Sequence, residues 1–319
     1  MTTKTKKSRK TIKRLSHPVH NTKNTISVCM IVKDEEKFLE NCLKSVKDIA
    51  DEIIIIDTGS KDKTVEIAKK YTDNIYFHPW KDSFSEARNH YFEYVKGDWI
   101  FQIDADEELV KDDIPALLKA VKRSDIDAIR VQLISTYKKG EDESRHSAER
   151  IFRNNGIIHY EGRVHNRLVD FKCPAIHPIR LMHYGYDLDD AELTEKKHQR
   201  RIALLKQDIE EKPDNPLPYH YLGCCYLSKG QNRETLEVSL KAIELAEQQK
   251  DKNPVYLWSR YNAAMAWYRL KDFEKAEELS KAAIKINDLH IDSYFILTLV
   301  SHDLKKWEDT ISFGTRYLE

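Results

Sequence analysis

The chain has 319 residues, 40% hydrophobic and 33% charged, and its 53 lysines and arginines are balanced by 53 aspartates and glutamates. That length accommodates two domains, and the composition is ordinary for a globular protein with a charge-rich surface. No run approaches the roughly 18 consecutive apolar residues of a membrane helix, and the neutral overall balance gives no argument for a nucleic-acid partner.

The first 24 residues carry Lys4, Lys6, Lys7, Arg9, Lys10, Lys13, Arg14 and Lys23 and no acid. With no apolar period this stretch reads as a disordered basic tail, and with no apolar core it is not a secretory signal. It is suited either to touching an anionic membrane surface or simply to solubilising the chain. The remainder is net acidic, which argues against a nucleic-acid-binding body.

Residues 25–185 alternate strand-like and helix-like segments. Thr25 to Val32 is an apolar strand. Glu35 to Val46 places Phe38, Leu39, Cys42, Leu43 and Val46 on one helical face. Glu52 to Ile56 is a β-branched run typical of a strand buried on both sides. A helix over Thr64 to Tyr71, a strand over Asn74 to Phe77, a helix over Ser83 to Val95 and a strand over Trp99 to Ile103 follow. This order predicts a mostly parallel α/β sheet with helices on both faces, whose ligand sits at the carboxyl ends of the strands. Asp34, Asp57 and Asp104 all fall at such ends.

From about Leu217 the strand signals stop and helix pairs begin. Gly223, Ala264 and Thr298 hold equivalent small positions 41 and 34 residues apart, Phe273 and Trp307 share a phase 34 apart, and Ala276 and Ala283 allow close helix approach. The 34-residue period is that of a tetratricopeptide (TPR) solenoid of about three repeats. The expected organisation is a basic tail over 1–24, a nucleotide-binding α/β domain over 25–205 and a helical repeat domain over 206–319. The helical end at Phe313 to Leu318 has no polar cap, which suggests further solenoid or a homodimer over it. The five cysteines show no metal-type or disulfide spacing, as suits a reducing cytoplasm.

Asp104-Ala105-Asp106, followed by Glu107 and Glu108, closes the strand at Ile103 with four carboxylates in five residues. Such crowding requires a cation among them, and a hard divalent metal carrying phosphates is the simplest one. Taken alone, the tripeptide reads first as a solvated acidic turn, and the metal reading depends on the rest of the chain building a nucleotide site around it. Asp57-Thr58-Gly59-Ser60 is a small turn where a ligand can approach the backbone, although Ser60 or Asp62 also suits a helix cap. Arg88 and Asn89 lie on the helix leading into the strand before Asp104.

Four ordered segments, Ser27–Glu36, Asp51–Thr64 (DEIIIIDTGSKDKT), Phe84–Asn89 (FSEARN) and Gly97–Glu107 (GDWIFQIDADE), resemble the family 2 glycosyltransferases. The likeness is to bacterial members with a TPR tail, among them the S-glycosyltransferases that modify bacteriocin peptides of the sublancin type. The resemblance implies a GT-A fold and an inverting, metal-dependent transfer from a UDP-sugar. It implies that Asp57 contacts the base, that Arg88 lies near the base and ribose, and that Asp104 faces the ribose or the metal. Asp106 would bind Mn2+ or Mg2+ on the diphosphate. His183, in His183-Tyr184-Gly185-Tyr186, becomes the third metal-ligand candidate after Asp106 and Asp104. Lys196, Lys197, Arg200 and Arg201 would face the diphosphate, and Asp34 and Ala105 complete the nucleotide-sugar set. A solvated helix face explains the basic cluster equally well.

Glu149–Arg153 and Tyr160–Asn166 resemble the acceptor-side segment of the family. Many relatives carry Glu after His165, where this chain has Asn166. Asn cannot take a proton, so the base remains open among Glu161, His165 and Asp187. A thiol acceptor, partly ionised near neutral pH, lessens the need for one. The expected function is transfer to a peptide or protein Cys, Ser or Thr. The competing expectations are a cell-surface glycan or lipid-linked acceptor, served by an enzyme peripheral to the inner membrane face, and a non-catalytic TPR scaffold that keeps a nucleotide-sugar fold.

Overall fold

The computed structural model describes residues 24–137, 142–185, 191–250 and 255–319. They divide into two compact units, residues up to 162 with 166–189, and residues 163–165 with 190–319.

In the first unit the chain runs β1 (Ile26–Val32), α1 (Leu39–Val46), β2 (Glu52–Asp57), α2 (Thr64–Ala68), β3 (Ile75–Phe77), α3 (Phe84–His90) and β4 (Trp99–Gln102). It continues with β5 (Glu107–Leu109), α4 (Ile114–Ala120), β6 (Ala128–Tyr137), β7 (Asp142–Arg153), β8 (His159–Glu161), β9 (Arg167–Val169) and β10 (Pro174–His183). Eight strands form one sheet in the order β3-β2-β1-β4-β7-β6-β10-β5, and β8 pairs with β9 separately. β3, β2, β1 and β4 are mutually parallel, as the alternating pattern predicts. β7 runs antiparallel between β4 and β6. The sequence reading assigns no strand after Ile103, so the mixed half of the sheet, in which β10 pairs parallel with β6 and antiparallel with β5, is a finding of the structure.

The run Ile53 to Ile56 is continuous because both faces of β2 are covered. Ile53 and Ile55 join the layer packed by Leu39, Cys42, Leu43 and Val46 of α1 and by Leu117 and Ala120 of α4. Ile54 and Ile56 join the opposite layer with Tyr91, Phe152, Tyr160 and Leu168. The four α1 residues are fully buried, and each aliphatic side chain among them contributes about 1.5–3 kcal/mol. Three helices are shorter than their periodicity suggests, and α2, expected to reach Tyr71, ends at Ala68. Glu35 to Phe38 is a turn following Asp34, whose φ is 55°, and α3 ends at His90 in a single 3-10 turn, Tyr91–Glu93. Ser83 caps α3 by accepting from the Glu86 N–H at 3.2 Å.

The second unit contains α5 (Ala191–Glu211) and three helix pairs: α6 (Pro216–Ser228) with α7 (Asn232–Gln248), α8 (Val255–Arg269) with α9 (Phe273–Ile286), and α10 (Ile291–Asp303) with α11 (Trp307–Leu318). The second helices of the pairs begin at Asn232, Phe273 and Trp307, reproducing the 41- and 34-residue spacings. Gly223 lies so close to Ser239 of α7 that a methyl group would clash with its hydroxyl, and Gly314 of α11 faces Thr298 of α10. α5 crosses the expected boundary at 205 as one unbroken helix. Ile202 and Leu205 pack with Leu222 and Cys225 of α6, which groups α5 with the helical array. Among the described residues no helix is long and apolar enough to cross a membrane.

Candidate active site

Parallel pairing aligns Val32 with Asp57 and Cys29 with Gln102, so the turns after β1, β2 and β4 open along one sheet edge. The first two turns are locked together. The Asp34 N–H donates to Ser60 Oγ at 3.0 Å, and the Lys61 N–H donates to Asp34 Oδ1 at 2.7 Å. Glu36 and Asp62 repeat the exchange, taking the Lys63 and Glu36 amides. Asp34 therefore ties one loop to the other. Asp57, 5% exposed, accepts the Ser60 and Gly59 amides at 3.1 and 3.3 Å. Gly59 has φ 113° and open space where a side chain would sit, which suits close approach of a flat ligand.

Asp104 follows β4, and cations of the chain's own surround it. The Arg88 Nη2 donates to its Oδ1 at 2.6 Å and the Arg150 Nη2 to its Oδ2 at 3.2 Å. Gln102 Nε2 adds a third bond at 2.8 Å. Burial opposes ionisation of Asp104, but the two guanidinium groups prevail and hold its carboxyl well below the usual range. Arg150 also bonds Glu107, which is 1% exposed. Burial pushes Glu107 up to about 7 despite Arg150, aided by the Asp104 and Asp106 charges. The carboxylate crowding seen in the sequence is thus answered first by Arg88 and Arg150. Ala105, 4% exposed, belongs to the core beneath the turn.

Asp106 is arranged differently. Its Oδ2 lies 3.3 Å from Nε2 of His183, brought alongside by the antiparallel register of β5 and β10. Ser135 of β6 lies 3.1 Å from His183 Nδ1. With Nδ1–H donated to that hydroxyl, Nε2 is left aimed at Asp106. Burial lowers the affinity of His183 for a proton, but the Asp106 carboxylate more than offsets this and raises it. Gly185 closes the cradle. A Cβ there would overlap Asp106 Oδ2 and sit 2.9 Å from His183 Nε2. Among the described residues no group of three His, Cys, Asp or Glu side chains forms a complete metal cage. An oxygen and an imidazole nitrogen side by side nevertheless offer two ligands to a divalent ion that takes the rest from water and phosphates. Asp104, engaged by both arginines, is placed to hold those arginines.

On the acceptor side, Glu161 is exposed, its carboxylate 3.6 Å from His159. His165 belongs to the second unit and stacks on Tyr221 at 3.7 Å. Burial, with the Arg201 and His220 charges, lowers its pKa to about 4, which makes it a weak proton acceptor. Lys197 and Arg200 are exposed on α5, Lys196 pairs with Glu192, and Arg201 lies near enough to Cys225 for its charge to favour the thiolate, although burial raises the thiol pKa overall. Asp187 lies outside the described residues. The sequence reading gave no role to Arg150, Gln102 or Ser135. A partial signal existed for Arg150: it directly precedes the apolar pair Ile151-Phe152, and a cation drawn into a core beside such residues needs a buried carboxylate partner.

Residues 27–184 match the family model described as Glycosyl transferase family 2. The chain is 30% identical over 274 residues to a TPR repeat-containing protein of Synechococcus elongatus, covering 82% of this chain and 66% of that protein. It is 30% identical over 228 residues to the SPbeta prophage-derived glycosyltransferase SunS of Bacillus subtilis, covering 69% of this chain and 53% of SunS. The chain thus spans about half to two thirds of the length of these relatives. Among solved structures, glucosyl-3-phosphoglycerate synthase from Mycobacterium tuberculosis, in complex with Mg2+ and UDP, aligns with 37% of this chain and 45% of its own, at 24% identity and a TM-score of 0.29. MamA aligns with 41% of this chain and 73% of its own, at 20% identity and a TM-score of 0.35.

Proposed function

We propose that this chain, which belongs to glycosyl transferase family 2 through residues 27–184, transfers a sugar from a UDP-sugar to a Cys, Ser or Thr side chain of a peptide or protein. The observation that carries the reading is the Asp106–His183 pair beside Gly185, set next to the arginine-held Asp104 at the sheet edge. Asp106 and His183 are the residues that would hold Mn2+ or Mg2+. A divalent ion bound there would neutralise charge on the diphosphate without proton transfer. The locked turns at Asp34 and Asp57 offer a flat, glycine-lined wall for the base.

In the transfer the acceptor sulfur or oxygen attacks the anomeric carbon opposite the diphosphate. The new bond forms as the bond to the β-phosphate oxygen breaks, UDP leaves with that electron pair, and the configuration inverts. The acceptor proton is lost to solvent or to a base. Among the described base candidates, Glu161 is an exposed carboxylate, and a thiol acceptor needs the least help. A peptide acceptor is favoured by the motif resemblance to the sublancin-type transferases and by the TPR-type array, since such solenoids present extended binding surfaces.

The direct test is UDP release from UDP-sugars with and without Mn2+, together with mass spectrometry of Cys-, Ser- and Thr-containing peptides. Asp106→Ala is expected to lower turnover by about 100-fold or more, the scale of losing a charge-stabilising group in a buried site. Unchanged turnover in a folded variant would remove the metal assignment.

A further inference from the structure

Arg88 is 9% exposed and its two terminal nitrogens serve different parts of the chain. One donates to Asp104 Oδ1 at 2.6 Å and the other to Asn166 Oδ1, also at 2.6 Å. The guanidinium lies over the Tyr160 ring at 5.5 Å. The next residue on α3, Asn89, pairs with the backbone of Tyr160 in both directions. It donates to the carbonyl and accepts the N–H, each at 2.9 Å. Two adjacent residues of one capped helix therefore hold both ends of the segment 160–166, and one of them also holds the donor-side carboxylate. A planar guanidinium fixes the angle between its two partners, which a flexible ammonium does not. Its Nε is buried without a partner, a cost that makes the two terminal bonds the reason for its position.

We propose that Arg88 and Asn89 are positioning residues that register the acceptor-side segment 160–166 on Asp104, and that position 166 exists to accept from Arg88. This rests on the glycosyltransferase reading for its purpose, though not for its geometry. The bridge accounts for Asn166 where a carboxylate was expected. A Glu there would be ion-paired to Arg88, which favours its charged form and makes it a poor base. Asn and Glu then fill one role, each presenting an oxygen to the same nitrogen. Because the bridge joins two sites, a ligand that orders the Asp104 end must also order the Asn166 end, and the coupling is reciprocal.

The experiment is amide hydrogen exchange on the full chain, with and without Mn2+ and UDP, for wild type, Asn166→Leu and Asn166→Glu. In wild type, Mn2+ with UDP is expected to slow exchange across residues 160–168 by about fivefold or more, the low end of ordinary coupling between sites. Asn166→Leu should lose this ligand-dependent slowing while Mn2+–UDP still binds by calorimetry, and Asn166→Glu should restore it. A purely structural role would shift basal exchange in Asn166→Leu but leave the ligand-dependent difference intact, and that result overturns the proposal. A new acidic limb in the turnover of Asn166→Glu, with a rise in rate, would make position 166 a base site and overturn it equally. Should Mn2+–UDP not bind wild type, the glycosyltransferase reading falls, and ligand-free exchange then decides the bridge. Faster exchange at Tyr160 in Asn166→Leu supports it, and unchanged exchange overturns it.

Discussion

Gly185 leaves room for nothing but hydrogen between Asp106 and His183, and its backbone is not in the left-handed region. Gly185→Ala should therefore fold normally yet push the two side chains apart. Mn2+–UDP affinity, read by calorimetry, is expected to fall by about 10–100-fold, the usual cost of disturbing the shell around a metal ligand. A loss of melting temperature instead would mean that the glycine serves the fold. This residue was invisible to the sequence reading, which took His183-Tyr184-Gly185-Tyr186 as a motif for its histidine. Nothing local reveals that Asp106, 79 residues earlier, occupies the space of the missing Cβ.

At the level of elements, the pairing of β6 with β7 places Ile129 opposite Ile151 but Arg130 opposite Glu149, leaving Arg150 as the extra residue of a β-bulge. A bulge re-aims its side chain and often stands next to an active site. Here it points Arg150 at Gln102, Asp104 and Glu107. Arg150→Met removes the cation that favours ionised Glu107, so the buried carboxyl must take up a proton or stay charged without a partner, and the expected loss is about 3–5 kcal/mol in denaturant titration. Adding Glu107→Gln should recover part of it, because no buried carboxyl is then left to be neutralised. In the helical array, His220 of α6 is 3% exposed and lies 2.8 Å from Ser259 Oγ of α8. Burial lowers its pKa to about 4, against about 6.5 in an unfolded chain. Above 6.5 both states are neutral and pH has no effect through this group. As pH falls from 6.5 towards 4 the unfolded chain binds a proton that the folded one refuses, so stability declines and then levels off. The decline approaches about 3 kcal/mol if this shift is fully expressed. His220→Asn should melt with a smaller drop between pH 7.5 and 5 than wild type, and an equal drop would show that His220 is not responsible.

For the whole molecule, the division into units is not a simple cut along the chain, because residues 163–165 group with the helices. Arg163 pairs with Asp208 at 3.0 Å and with Glu211, and Val164 packs with Ile202, Leu205 and Leu222. A chain ended at residue 189 would lose every one of these partners. Limited proteolysis of such a fragment is expected to cut at Arg163 far faster than in the full chain, and equal protection would show that these contacts matter little. A boundary drawn from the sequence at 205 would keep most of α5 but lose Asp208, Glu211 and Leu222.

The sequence by itself determined the parallel strands, the α/β class and the phase of the helical repeats. Each is a periodic property of short segments, and the spacing of apolar side chains carries it directly. It also singled out Asp57, Arg88, Asp104, Asp106 and His183 as candidates, through ordered motifs. Only the tertiary structure decided which charges meet. Asp104 and Glu107 are compensated by Arg88 and Arg150, while Asp106 pairs with His183. Those pairings span up to 77 residues and depend on strand order and on one bulge. Side-chain charge in a sequence has no direction until the backbone register supplies it.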